Sequence, residues 1–74
     1  MKKFSAAFID GEGVTKVKDH KNLNEAMRFC VKRFGTGLLD DFSLHFVRSS
    51  ELLVVWNLRN QRGVLVGTIT EWMM

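Results

Sequence analysis

Acid–base, thiol or metal chemistry in this chain would have to come from few side chains. Asp40 and Asp41 are the only adjacent carboxylates, His20 and His45 the only histidines, and Cys30 the only cysteine. General acid–base work needs two titratable groups converging in a concave site. Neighbours in a loop point apart, so Asp40–Asp41 reads as solvated loop charge. His45 falls on the outward side of an alternating run with no acid implied beside it, which gives it a surface or pairing role. Cys30 lies on the apolar stripe of a helix, where cysteine acts as a small hydrophobe. Gly11 and Gly13 follow a strand but open no helix, so they are hairpin glycines and not a phosphate cradle. No Cys/His cluster has zinc-ligand spacing, and a lone cysteine rules out an internal disulfide. The expectation is a chain with no metal, no cofactor and no catalytic activity, which works by binding.

Binding chemistry has better candidates. Arg28, Phe29 and Lys32 fall on the side of the same helix that faces away from its apolar stripe. An aromatic flanked by cations can stack on a nucleic-acid base or fill a protein pocket; the alternative is that Phe29 tucks under the connector 36–41. Arg59-Asn60-Gln61-Arg62 displays two guanidiniums and two amides in a turn. Arginine forks suit carboxylates and phosphates alike, although a solvated turn tip reads the same way. Lys2, Lys3, Lys16 and Lys18 form a basic stripe along the first hairpin, or protect a sheet edge from aggregation. The net charge of +3 is uneven: residues 1–39 carry eight Lys/Arg against four acids, residues 40–74 three against four. A positive excess favours acidic partners, whether nucleic acid or protein.

The elements that must position these groups follow from periodicity. Lys3 to Ile9 alternates as a strand, Asp10-Gly11-Glu12-Gly13 makes a hairpin turn, and Val14 to Lys18 returns with Val17 inward. Asn22 caps a helix and Glu25 completes a capping box. Leu23, Ala26, Met27, Cys30 and Phe34 recur at offsets of three, four, seven and eleven, one stripe of a helix that Gly35 terminates. Phe42 to Arg48, Leu52 to Leu58 and Val64 to Thr70 are further strands, joined by turns at 49–51 and 59–63, and 71–74 is a tail. The order is ββαβββ: an α+β domain, residues 1–74, with an antiparallel sheet of about five strands and one helix packed on one face.

One helix of about thirteen residues covers one face of such a sheet. Yet Leu52, Val54, Trp56 and Leu58 alternate with Leu53 and Val55, so the last strands look apolar on both sides. Either another chain, a target or a second copy, covers the second face, or Trp72 and Met73 fold back over it. The strands thus permit a homodimer. The longest apolar stretch, Leu52 to Trp56, is too short to cross a bilayer and no signal-peptide run opens the chain. With an unpaired thiol, this points to the cytoplasm and away from membranes.

The first two-thirds resemble the small T7-type phage inhibitors of host RNA polymerase. The match is carried by Lys2-Lys3-Phe4 with Ala6, the hairpin, the capped start Asn22-Leu23-Asn24-Glu25-Ala26-Met27, and the strand ending Val47-Arg48. Size and layout are similar, more loosely, to phage anti-CRISPR proteins, and the capped-helix pattern also occurs in antitoxin-type domains. In the polymerase inhibitors the strand after the helix carries target-contacting arginines; here Arg48 matches, Phe46 stands two positions earlier, and two further strands follow. The resemblance implies a host-directed regulator in the bacterial cytoplasm, bound to a host protein or protein–nucleic-acid complex. RNA polymerase comes first and a CRISPR effector second, with Arg28, Phe29, Lys32, Arg48, Arg59 and Arg62 as contacts. The alternative is direct nucleic-acid binding through the basic hairpin and helix face.

Overall fold

The computed structural model describes residues 3–34 and 39–73, apart from the side chain of Arg33. Five strands form one antiparallel sheet: β1 (Lys3–Ile9), β2 (Thr15–His20), β3 (Phe42–Ser49), β4 (Leu53–Asn60) and β5 (Leu65–Trp72). Helix α1 (Leu23–Val31) lies between β2 and β3 in the chain, and the strands are arranged β2-β1-β5-β4-β3. The ββαβββ, α+β architecture is therefore as the sequence implies. The first and last strands meet in the middle, and β2 and β3 are the edges.

Two turns share one construction. In the first, Asp10 Oδ1 accepts from the backbone N–H of Glu12 and Val14, both at 2.9 Å, and Gly13 adopts φ 82°. In the second, Asn60 Oδ1 accepts from Arg62 at 2.9 Å and Val64 at 3.0 Å, and Gly63 adopts φ 80°. A short side-chain acceptor holds the loop, and a left-handed glycine reverses the chain. Only the second of the two glycines in the first turn has a positive φ.

The helix starts as read, with Asn22 Oδ1 accepting from the Glu25 N–H at 2.9 Å. It ends earlier than its apolar stripe suggests. After Val31 the chain tightens into a 3-10 turn over Lys32–Phe34. The tighter pitch swings Phe34 off the stripe, leaving it 45% exposed with its ring centroid 6.1 Å from that of Phe42. Gly35, expected as terminator, and connector residues 36–38 lie outside the described residues; Leu39–Asp41 form a second 3-10 turn.

The core lies between α1 and the sheet. Ala26, Met27, Cys30 and Val31 from the helix bury against Ala6, Leu58, Val66 and Ile69. The helix packs on β1, β5 and β2. Register fixes which residues share its side of the sheet: Phe4, Ala6 and Phe8; Gly67 and Ile69; Trp56 and Leu58; Leu44 and Phe46; and Lys16, Lys18 and His20. Val17, expected inward, pairs with Ala7 on the opposite side and is 62% exposed. On an edge strand, Lys16 and Lys18 can take the helix side because their long stems reach solvent.

Two bulges interrupt the alternation. The register shifts between Phe46 and Arg48 on β3, and again where Leu58 pairs with Gly67 but Arg59 pairs with Leu65. An extra residue at a bulge changes which side the next one faces. Val66 is thereby buried in the core beside Gly67, and Arg48 lies opposite Val55 on the side away from the helix.

Candidate interaction surface

The sheet face away from α1 is the open one, and it is mixed: besides the Leu53 and Val55 read as apolar it carries Ala7 and the exposed Ile9, Val17 and Leu65. Leu53 and Val55 are half-buried among Ser5, Asp19, Thr68, Thr70, Asn57, Ser43 and His45. Trp72 belongs to β5 and not to a tail. Its indole Nε1 donates to Ser5 Oγ at 3.0 Å, Ser5 Oγ donates to Asp19 Oδ1 at 2.7 Å, and Lys3 Nζ lies 3.1 Å from Asp19 Oδ2. Intramolecular cover by Trp72 thus accounts for part of this face. The chain of bonds ties β5, β1 and β2 together, and the Ser5 hydroxyl, then Lys3, hold the Asp19 carboxyl below the usual aspartate range. Toward the other edge, Thr68 Oγ1 donates to Asn57 Oδ1 at 3.3 Å, and Ser43 Oγ lies 2.9 Å from His45 Nε2. These open-face groups are bonded locally, whereas on the helix side the buried Nε2 of His20 has no hydrogen-bond partner among the described residues.

The six sequence-derived contact residues separate into two groups. Arg48 and Arg59 share the open face on β3 and β4, opposite Val55 and Ser43 respectively. They stand four positions apart along β4, about 13 Å, with His45 and Asn57 as the pair between them. Arg59 lies in β4 and not in the turn, and its Nη1 donates to the Gly63 carbonyl at 2.9 Å. That bond fixes the guanidinium beside the turn whose exposed tip carries Arg62. Arg48 is exposed, and no ion pair or hydrogen bond of its side chain occurs among the described residues.

Arg28, Phe29 and Lys32 lie on the other side of the molecule. Arg28 and Lys32 are exposed on the helix and its 3-10 extension. Phe29 is not displayed: its ring packs between Phe8 and His20, at 5.2 Å from each centroid. A position about 120° from the core stripe still meets the sheet because β2 rises beside the helix there. Exposed Lys16 and Lys18 share this helix side, whereas Lys3 faces the open side, so the basic stripe of the first hairpin is split across two faces. Lys16 also approaches Asp10 at 3.9 Å.

The candidates for chemistry stand apart. Cys30 is fully buried with Sγ directed at the Ala7 carbonyl, 3.9 Å away. His45 is on the open face, and Asp41 accepts from Gln61 Nε2 at 3.2 Å. No group of three His, Cys, Asp or Glu residues among the described ones is placed to hold a metal ion, and no described helix is long and apolar enough to cross a membrane. Sequence reasoning missed the polar row on the open face; Ser5, Asp19, Asn57 and Thr68 all occupy alternate positions of their strands, which is the pattern that would have found them. No family model, curated protein or solved structure matches this chain.

Proposed function

We propose that this chain is a non-catalytic regulator of phage type, which inhibits a host macromolecular machine by occupying part of its surface. RNA polymerase is the first candidate and a CRISPR effector the second. The observation that supports this reading best is the shared open face of Arg48 and Arg59, with Arg62 on the adjoining turn. Two arginines whose backbone positions lie about 13 Å apart along the strand direction, on a face where Ser5, Asp19, Asn57 and Thr68 bond internal partners, suit an acidic protein surface. Arg48, whose side chain has no ion pair or hydrogen bond among the described residues, provides charge-assisted hydrogen bonds to carboxylates.

The test is direct binding to purified bacterial RNA polymerase and, in parallel, to a purified CRISPR effector complex. Arg48→Ala and the double variant Arg59→Ala/Arg62→Ala should each weaken binding by about tenfold or more, the scale of an interface hot spot, with circular dichroism unchanged. Arg28→Ala should change little. Equal affinity for all variants would remove these arginines from the interface, and no binding to either machine would end the proposal.

A second reading rests on a different observation. Lys16, Lys18, Arg28 and Lys32 are all exposed on the helix side, and such a flank suits the phosphates of a nucleic acid. It predicts a mobility shift with DNA or RNA at low salt that fades steeply as salt rises, and absence of any shift disposes of it.

A further inference from the structure

The two edges of the sheet are chemically unlike. β2 presents Lys16, Lys18 and Asp19, the charged pattern that discourages strand addition. Over Phe42–Phe46, β3 has no permanently charged residue, and among the described residues no strand lies beside its outer edge. This segment is also nearly its own mirror: Phe42, Leu44 and Phe46 face the helix side, Ser43 and His45 the open side. The helix packs on β1, β5 and β2, so the helix side of β3 and β4 stays bare at its far end. Phe46 is 60% exposed there, edge-on to half-buried Trp56 at 5.8 Å between centroids.

We propose that a second copy of this chain occupies that edge, pairing β3 with β3 antiparallel about Leu44. In this register Phe42 stands opposite the partner's Phe46, Leu44 opposite the partner's Leu44, and Ser43 opposite the partner's His45. A ladder of aromatic and leucine side chains closes on the helix side, where cross-strand apolar pairs add stability. The Ser43–His45 pairing across the seam reuses chemistry that these residues already satisfy within one chain. The bulge after Phe46 ends the regular pairing before Arg48, and the segment that pairs carries no permanent charge to oppose its own copy. Charge and self-complementarity favour a second copy over an unrelated strand, which would need its own aromatic pattern at the same spacing. The two open faces then continue into one surface with Arg48 and Arg59 from each copy.

The seam buries less than the roughly 800 Å² per partner of a standard interface, so a dissociation constant on the order of 100 µM is expected. Sedimentation equilibrium from about a tenth to ten times that value reads it without any partner. The wild type should pass from monomer to dimer. Phe46→Lys should stay monomeric with an unchanged circular dichroism spectrum, and Val17→Lys, on the other edge, should dimerise as the wild type does. Under mild oxidation an equimolar mixture of Ser43→Cys and His45→Cys chains should cross-link, while each alone should not, because like positions lie diagonally at about 7–8 Å. A wild type that is monomeric throughout, Phe46→Lys that associates normally, or either cysteine variant cross-linking alone as fast as the mixture overturns this pairing. The result is independent of whether Arg48 binds a host machine.

Discussion

Gly67 is where helix and sheet come closest, and replacing it with alanine tests the packing argument by sign. A Cβ built at this position would lie 2.5 Å from Cys30 Sγ, 2.9 Å from Cys30 Cβ and 3.1 Å from the Ala7 carbonyl oxygen. Gly67 has no positive φ, so its backbone does not require glycine. On conformational entropy alone, Gly→Ala at an unstrained site stabilises by about 0.4–1 kcal/mol. The overlap acts the other way: α1 must lift from β1 and β5 along its buried face, an overpacking cost of about 1–3 kcal/mol. The net expectation is a loss of about 1–2 kcal/mol, or about 4–16 °C in Tm for a domain this small. Cys30→Ala alone should cost about 1 kcal/mol by leaving a void. In the double variant the new methyl group occupies the space vacated by Sγ, and the combination should be better than the sum of the singles by about 1 kcal/mol. Urea denaturation of the four proteins measures this cycle. A stabilised Gly67→Ala, or additivity within about 0.3 kcal/mol, would refute the close approach of Cys30 to β5.

The turn after β4 should be sensitive to one atom. Asn60→Ala removes the acceptor for two backbone N–H groups and should lower stability by about 1–2 kcal/mol, whereas Asn60→Asp, which reproduces the acceptor seen at Asp10, should cost much less by thermal melting. Asp19 has its carboxyl pKa depressed by Ser5 and Lys3, so its contribution is present above the unfolded aspartate value, near pH 4, and is lost as pH falls through the lower folded value. Ser5→Ala should therefore raise the Asp19 pKa seen by NMR titration, and an unmoved titration would mean that the hydroxyl does not hold the carboxylate.

The element order was legible because local chemistry and pattern agreed. Asn22 and Glu25 mark the helix start, Gly13 and Gly63 the turns, and Ala6 and Cys30 fall on the buried faces that alternation or helical spacing assigns them. The matching of Asp10-x-x-Gly13-Val14 with Asn60-x-x-Gly63-Val64 was also available in the sequence, and it dates both turns to one design of loop. What failed did so for physical reasons. Val17 was assigned inward by hydrophobicity, but the pairing of Ala6 with Lys18 fixes its side of an edge strand regardless. Phe34 lost its place when the helix tightened after Val31, and Phe29 found cover from Phe8 and His20 on strands that a helix wheel does not contain. Trp72 read as tail because Glu71 interrupts the apolar run, although its indole bonds Ser5 as part of β5.

The location of the candidate surface depends on the irregularity that alternation does not foresee. In an unbroken strand Arg48 would share the side of Leu44 and Phe46, beside the bare aromatic pair and below the helix layer. The extra residue in β3 turns it to the opposite side, opposite Val55 and in line with Arg59. One inserted position thus does two things at once. It assembles the arginines on a face where Ser43 and His45, and Asn57 and Thr68, already pair with each other, and it leaves Phe46 and Trp56 as an apolar pair next to an uncharged edge. Positive charge and exposed aromatic surface are thereby sorted to different sides of the same two strands. An aromatic patch with a guanidinium among it would pair poorly with its own copy, and an arginine crowded by apolar rings would meet a carboxylate less freely. Separation by the bulge is what both proposals require, self-association of the edge and binding of an acidic partner by the open face.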